Sequence, residues 1–367
     1  YSQAGAIPAD YCFPFRAESA EVLKAALAHN PVDARAHYYL GNLLYELQPQ
    51  KAIEHWERSR ALDGSFALVH RNLGWAYYRT SDDVAQAIAS YERAVSSNAN
   101  DPRLFTELDQ LYELGNAPVE TRLAVLEKHR ATVAQRNDSL ERWAAVLVLA
   151  GRYDEAVDLL ARTHFHVREG GGEIRGTYVN AHLLRGLSRL RQNQPQAALE
   201  DLLAAAEYPE NLSVGRPRSG DALSPQIAYY AARACEALGD PNRARQYDTK
   251  AAGQRGGRGA RGGGFVSEAR FFQAMAMQKL QRDSEAQEIF DELIKAGQDR
   301  LTREETADFF AKFGEQEARQ GRQASAHYLV GLGHLAKGDL DSARASFALA
   351  TKLNVSHVWA RQMLKDN

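Results

Sequence analysis

Two stretches of this sequence set side chains suited to binding on common helix faces. At a helical period Tyr38, Asn42 and Tyr45 share one face, Arg71, Trp75 and Tyr78 share another, and Arg103 follows on a third. A guanidinium fork engages carboxylates and an aromatic face stacks on flat groups. An Arg among aromatics and an Asn therefore suits a peptide backbone, a terminal carboxylate or a sugar ring. The alternative is that these residues pack between helices or face water.

Other clusters carry less chemistry. His164, His166 and Glu169 are metal-ligating types, but without a defined fourth ligand they read as surface-loop residues, and no metal is expected. Gly253 to Gly264 is rich in Arg and Gly, which offers RNA binding as a remote alternative; short and without interleaved aromatics, it reads as a flexible connection. The glycines between Glu169 and Glu173 neither follow a strand nor precede the lysine of a phosphate loop. No Ser, His and acid arrangement stands out, so no catalysis and no cofactor are expected.

The elements that position these residues are announced by a spacing of small residues. Gly or Ala is followed twelve positions later by Ala at Ala144 and Ala156, Gly186 and Ala198, Ala232 and Ala244, Ala274 and Ala286, and Gly331 and Ala343. Gly41 with Ala52 and Gly74 with Ala87 repeat the pattern with one-residue slips, each followed four positions on by a large residue, Trp56 or Tyr91. A small pair lets two antiparallel helices approach and the large residue fills the groove beside them, the signature of stacked helix hairpins. Alanine and leucine are abundant and no period-two run bounded by turn residues occurs, as an all-α chain requires.

Tyr39-Leu40-Gly41-Asn42, Asn72-Leu73-Gly74-Trp75-Ala76-Tyr77 and Gly151-Arg152-Tyr153-Asp154-Glu155-Ala156 resemble the tetratricopeptide repeat. Asp109, where glycine is expected, and Asp248, at an aromatic position, mark degenerate third and sixth copies. The resemblance implies an all-α, right-handed superhelical solenoid of about eight hairpins, with first helices lining a concave groove. One site of this family, a carboxylate clamp, uses Lys and Asn, then Asn, then Lys and Arg in successive repeats. The matching positions here are Tyr38 and Asn42, then Asn72, then Arg103 and Glu107, so two of five fail and a clamp is not expected.

A narrower resemblance rests on the Tyr11 to Arg16 segment, the Tyr38 to Tyr45 stretch, Arg71-Asn72-Leu73-Gly74, Glu107-Leu108-Asp109-Gln110-Leu111-Tyr112 and Tyr208-Pro209-Glu210-Asn211-Leu212. Together these are similar to the C-terminal region of large bacterial proteins that begin with a β-sandwich domain of unknown function. That resemblance implies a multidomain protein, with the C-terminal accessory part of a carbohydrate-active enzyme as the alternative function and carbohydrate as the alternative partner. The family's Trp-Glu-Gly-Gly run is replaced here by Val167-Arg168-Glu169-Gly170-Gly171.

Equivalent small residues are 33 and 35 apart at first, then 42, 46, 42 and 57, which places insertions near His164 to Gly176, Glu210 to Leu223, Gly253 to Gly264 and Ala296 to Gln323. The expected divisions are an extended segment at 1–19, a regular array at 20–163, an array with inserted loops at 164–356 and a capping helix at 357–367. Thr302 with Glu305 forms a capping box that predicts an extra helix near 303–313, and Trp359, Ala360, Met363 and Leu364 form the apolar stripe of the last helix. Ala20 to Pro31 reads as the second helix of a hairpin whose first helix is missing, and a start at Tyr1 suggests part of something longer.

A net charge of −2 with interspersed signs exerts no overall pull on nucleic acid or anionic lipid, so neither is an expected partner. Two distant cysteines, Cys12 and Cys235, do not suggest a disulfide framework, and no apolar run reaches the ~20 residues that span a bilayer. A cytoplasmic location is expected. The functional expectation is an interaction scaffold whose groove binds a protein, a peptide or a preceding domain of the same chain, through Tyr38, Asn42, Tyr45, Arg71, Asn72, Trp75, Tyr78 and Arg103.

Overall fold

The computed structural model describes residues 12, 14–166, 173–215, 224–253, 266–302 and 315–366. All regular structure among the described residues is helical. The chain forms two compact units, Tyr1–Arg142 and Trp143–Asn367.

Unit 1 begins with α1 (Glu18–His29), the lone helix expected before the first full repeat. Three hairpins follow: α2 (Ala34–Leu44) with α3 (Pro49–Leu62), α4 (Ala67–Ser81) with α5 (Val84–Ser97), and α6 (Pro102–Leu114) with α7 (Val119–Lys128). A short α8 (Arg130–Val133) and α9 (Asn137–Leu149), which runs into unit 2, complete it. Unit 2 continues with α10 (Tyr153–Arg162), α11 (Glu173–Arg191), α12 (Pro195–Ala204), α13 (Pro225–Ala237), α14 (Pro241–Gly253), α15 (Ala269–Lys279) and α16 (Asp283–Thr302). It ends with α17 (Glu315–Ala336), α18 (Leu340–Leu353) and α19 (Val358–Asp366).

Helix starts follow from local chemistry. Asp33 accepts from the Ala36 N–H, Asp83 from Gln86, Asp101 from Arg103 and Asp339 from Ser342, so a carboxylate satisfies an otherwise orphaned donor at the heads of α2, α5, α6 and α18. Proline opens α3, α6, α12 and α13, where its fixed φ suits the first turn and its missing N–H is not needed.

The small residues do what their spacing predicts. A Cβ on Gly41 would lie 2.5 Å from the Trp56 ring, one on Gly74 2.5 Å from Tyr91, and one on Gly331 2.5 Å from Phe347. A second regularity belongs to the turns. Asn116, Gly151, Asn193, Gly239, Gln281 and Gly338 all have positive φ, each seven residues after the small or equivalent residue of its hairpin. In the α4–α5 hairpin the left-handed residue is Asp82, eight after Gly74, which accounts for the longer slip to Ala87. The turn, not the helix, absorbs the change in spacing. The repeat tyrosine also has a fixed partner: Tyr77 donates to Glu57 and Tyr112 to Glu92, each twenty residues earlier in the preceding hairpin.

The wide spacing between Ala274 and Gly331 is partly filled by helix where an insertion was expected. α16 runs on through Ala296 to Thr302 and α17 already includes Gln323. Gly297 and Gly333 make this possible: their absent side chains admit Ala326 O and Phe290 O of the facing backbone to 2.7 and 2.8 Å of the Cβ positions. Thr302 is the last described residue of α16 and its hydroxyl donates to Gln298 O, while its expected capping-box partner Glu305 lies outside the described residues. The helix expected near 303–313 and the Arg-Gly segment at 254–264 lie outside the described residues. No helix among the described residues is long and apolar enough to cross a membrane.

Candidate interaction face

The expected site residues lie on α2, α4 and α6, the first helices of the hairpins of unit 1, with Tyr45 capping the end of α2. Tyr38 is buried at 4% exposure, packed edge-on against Phe66 with ring centroids 4.8 Å apart, and belongs to the core with Trp56, Val69, Leu73 and Tyr77. Its ring therefore does not line a groove. Burial raises its hydroxyl pKa, with the Asn42 and Asn72 amides beside it acting in the opposite direction. Tyr78 is likewise buried, and Tyr45 is half-buried with its ring 5.2 Å from Trp56.

Asn42 and Asn72 are brought together. The Asn42 Oδ1 accepts from Asn72 Nδ2 at 2.8 Å and from Trp56 Nε1 at 3.0 Å, and the same indole N–H reaches Tyr38 O at 3.1 Å. One amide oxygen thus ties α2 to α3 and α4. Arg71 is committed to a partner: Nε donates to Glu107 Oε2 at 2.7 Å and Nη2 to Oε1 at 2.5 Å, a two-point fork joining α4 to α6. That bond raises the Arg71 pKa, so the guanidinium stays charged, and Glu107 with Arg71 surrounds the Tyr91 hydroxyl, whose pKa is raised first by burial and then by Glu107. Arg103 turns back onto Asp101 of its own helix head, Nη2 to Oδ2 at 2.7 Å.

Trp75 is different. It is 47% exposed on a helix whose neighbouring Leu73, Gly74, Ala76, Tyr77 and Tyr78 are all buried. Tyr78 meets it edge-on at 6.3 Å and the Arg79 guanidinium lies 5.7 Å from its ring, so an apolar platform is flanked by a cation. Glu107, Trp56 and Asp101 were absent from the expected site. Glu107 was legible only as the wrong charge for a clamp, although an acid one repeat beyond Arg71 is a pairing signal; Asp101 was signalled by the Asp-Pro pair that starts α6.

Elsewhere, His164 and His166 meet edge-on at 5.3 Å, while Glu169 lies outside the described residues. Among the described residues no three His, Cys, Asp or Glu side chains gather in a way that holds a metal. Cys12 is exposed and Cys235 buried, both as free thiols.

The tetratricopeptide repeat family matches this chain over residues 15–48, 43–102 and 183–259. With the hairpins and small-to-large contacts described above, the chain is a tetratricopeptide repeat protein. Arrays of this kind are in general scaffolds for binding proteins or peptides. Similar solved structures include YrrB, described as a TPR protein with an unusual peptide-binding site, at 19% identity over 51% of this chain and 91% of that one, TM-score 0.39. A tetratricopeptide repeat protein from Parabacteroides merdae is 13% identical over 70% of this chain and 91% of its own, TM-score 0.31. The Naa15/Naa10 complex bound to HypK-THB gives 14% identity over 94% of this chain and 62% of the matched one, TM-score 0.39. These likenesses are of fold.

Proposed function

We propose that unit 1 binds a segment of another protein across α2, α4 and α6, with Trp75 as its apolar anchor. The exposure of Trp75 on an otherwise buried stretch of α4 carries this reading, since a large aromatic left in water beside a cation is the usual form of a binding hot spot. Arg71 and Glu107 supply a charged but neutralised floor that favours polar backbone over a free carboxylate, because the guanidinium fork is already filled. Asn42, Asn72 and Tyr45 shape the adjoining wall. Arg103, bonded to Asp101, sits at the margin.

The test is affinity capture and crosslinking with the whole chain and its Trp75→Ala variant, both shown by circular dichroism to retain helix. A partner held by the parent and lost from the variant supports the reading. The same partners held equally by both overturn it.

A further inference from the structure

The first hairpin holds two imidazoles end to end. His37 Nδ1 of α2 lies 2.9 Å from His55 Nδ1 of α3, with ring centroids 5.2 Å apart and planes tilted by 36°. Two nitrogens at that distance share a hydrogen, so one ring donates and the other accepts. The far side of His37 fixes which, because its Nε2 lies 3.2 Å from Pro31 O in the turn after α1. A carbonyl only accepts, so that nitrogen carries a hydrogen. In the neutral ring Nδ1 is then bare and accepts, and His55 Nδ1 donates. The carbonyl contact recurs in the next hairpin, where His70 Nε2 meets Gly64 O at 2.9 Å, again six residues back. Counted from Ala52 and Ala87, the position matching His55 there is Ser90, so the second imidazole distinguishes the first hairpin from the second.

The bond has a definite proton capacity. A first added proton goes to His55 Nε2, the one nitrogen with neither a hydrogen nor a place in the bond, and makes His55 a stronger, cationic donor. A second has only His37 Nδ1 to bind, which is the acceptor itself. Two N–H groups and two like charges then face each other at 2.9 Å, and the bond is lost. Burial works the same way: both rings are partly buried, and desolvation lowers both pKa values. Arg58 of α3 adds to this at His37, and His37 adds to it at His55, against the Pro31 carbonyl, Asp33 at the head of α2 and Glu54 of α3. On the α1 side the titratable group is His29, which ends that helix two residues before Pro31. On α4, His70 and Arg71 are held by Gly64 O and Glu107.

We propose that His37 and His55 form a proton-operated latch on the first hairpin, closed with no added proton or one and released by the second. On release the head of α2 is left to the bond from Ser59 Oγ to Ala34 O at 2.7 Å, and acid loosens this hairpin ahead of the rest of the array. An opened hairpin takes both protons near the ordinary 6.5. The latch is therefore at full strength above that pH and weakens as pH falls below it, by up to about tenfold per unit. This device is independent of the Trp75 reading.

The test uses the whole chain. Long-range proton–nitrogen NMR spectra at pH 7.5 read the tautomers: a hydrogen on Nε2 of His37 and on Nδ1 of His55 is expected, and both rings with the hydrogen on Nε2 overturn the proposal. On titration to pH 5 one ring is expected to protonate while the other stays neutral, and two rings that take their protons independently near 6.5 overturn it. Hydrogen exchange, corrected for the intrinsic effect of pH on the chemistry, reads the opening. Protection of α2 relative to α13 is expected to fall about tenfold between pH 7 and 5, and His37→Gln/His55→Gln is expected to abolish that fall. No fall in the parent, or an equal fall in the variant, overturns the proposal, and the spectra of the parent decide it where the variant does not fold.

Discussion

Arg122 holds Asp109 by both ends of its fork, Nε to Oδ1 at 2.8 Å and Nη2 to Oδ2 at 2.9 Å, while Arg142 adds Nε to Oδ2 at 2.6 Å. Asp109 and Arg122 are 2% and 1% exposed. The residue that looks like a failure of the repeat pattern is the hub of a buried ionic knot. Asp109→Ala takes the carboxylate from between two guanidiniums, and the expected loss is ~3–5 kcal/mol in urea unfolding followed by circular dichroism. Restoring the family's glycine with Asp109→Gly is expected to be as harmful, because Arg122 stays in the core. Burial pushes the Asp109 carboxyl up, but Arg122 and Arg142 outweigh it and hold the pKa below the ordinary 3.8. Its contribution is therefore full above that value and lost as pH falls below it, a loss that Asp109→Asn is expected to remove from the acid limb.

Gly74→Ala tests the small-to-large contact. The new methyl meets Tyr91 at 2.5 Å and the Ala87 carbonyl at 3.0 Å, and the second of these is backbone that cannot swing away. A loss of about 1–3 kcal/mol is expected by thermal or chemical melting, with partial recovery in Gly74→Ala/Tyr91→Leu.

Gln281 sits at φ 62° in the turn between α15 and α16, where equivalent hairpins use Gly or Asn. A side chain in that region is disfavoured by ~1–2 kcal/mol, so Gln281→Gly is expected to stabilise, less the extra entropy glycine carries when unfolded. Differential scanning calorimetry reads the change as a rise in Tm.

His357 precedes α19 and its Nδ1 accepts from the Ala360 N–H at 3.2 Å, with the ring 4.6 Å from Tyr328. Burial lowers its pKa from 6.5 to about 4. The unfolded chain binds the extra proton first, so stability is full above pH 6.5 and declines as pH falls toward 4. The decline amounts to about 3 kcal/mol at most, and His357→Asn, which keeps a capping acceptor but does not titrate, is expected to flatten it in unfolding curves taken across that range.

The hairpins were legible because small residues recur at a fixed interval and the chain between them has helical period. The interior of the site was less so. Tyr38 and Tyr78 share the period of exposed face residues yet both are buried, and for Tyr38 it is the cluster with Phe66 and Trp56 that decides it is core. Arg71 looks available in sequence, since a salt bridge to Glu107, thirty-six residues away, depends on how one hairpin is rotated on the next. Trp359 of α19 bonds to Asn180 from farther still, 179 residues, and no local pattern encodes it.

The left-handed residue seven positions past the small or equivalent residue in six hairpins, and eight in α4–α5, also marks where the chain tolerates a change of length. Among the hairpins that carry such a corner, intervals of twelve and thirteen between small residues coexist, and both keep the facing helices in contact. A residue added within a helix would instead rotate every later side chain by about 100°. Variation among relatives, and any reporter sequence inserted by design, should therefore collect at these seven corners and leave the faces that bind untouched.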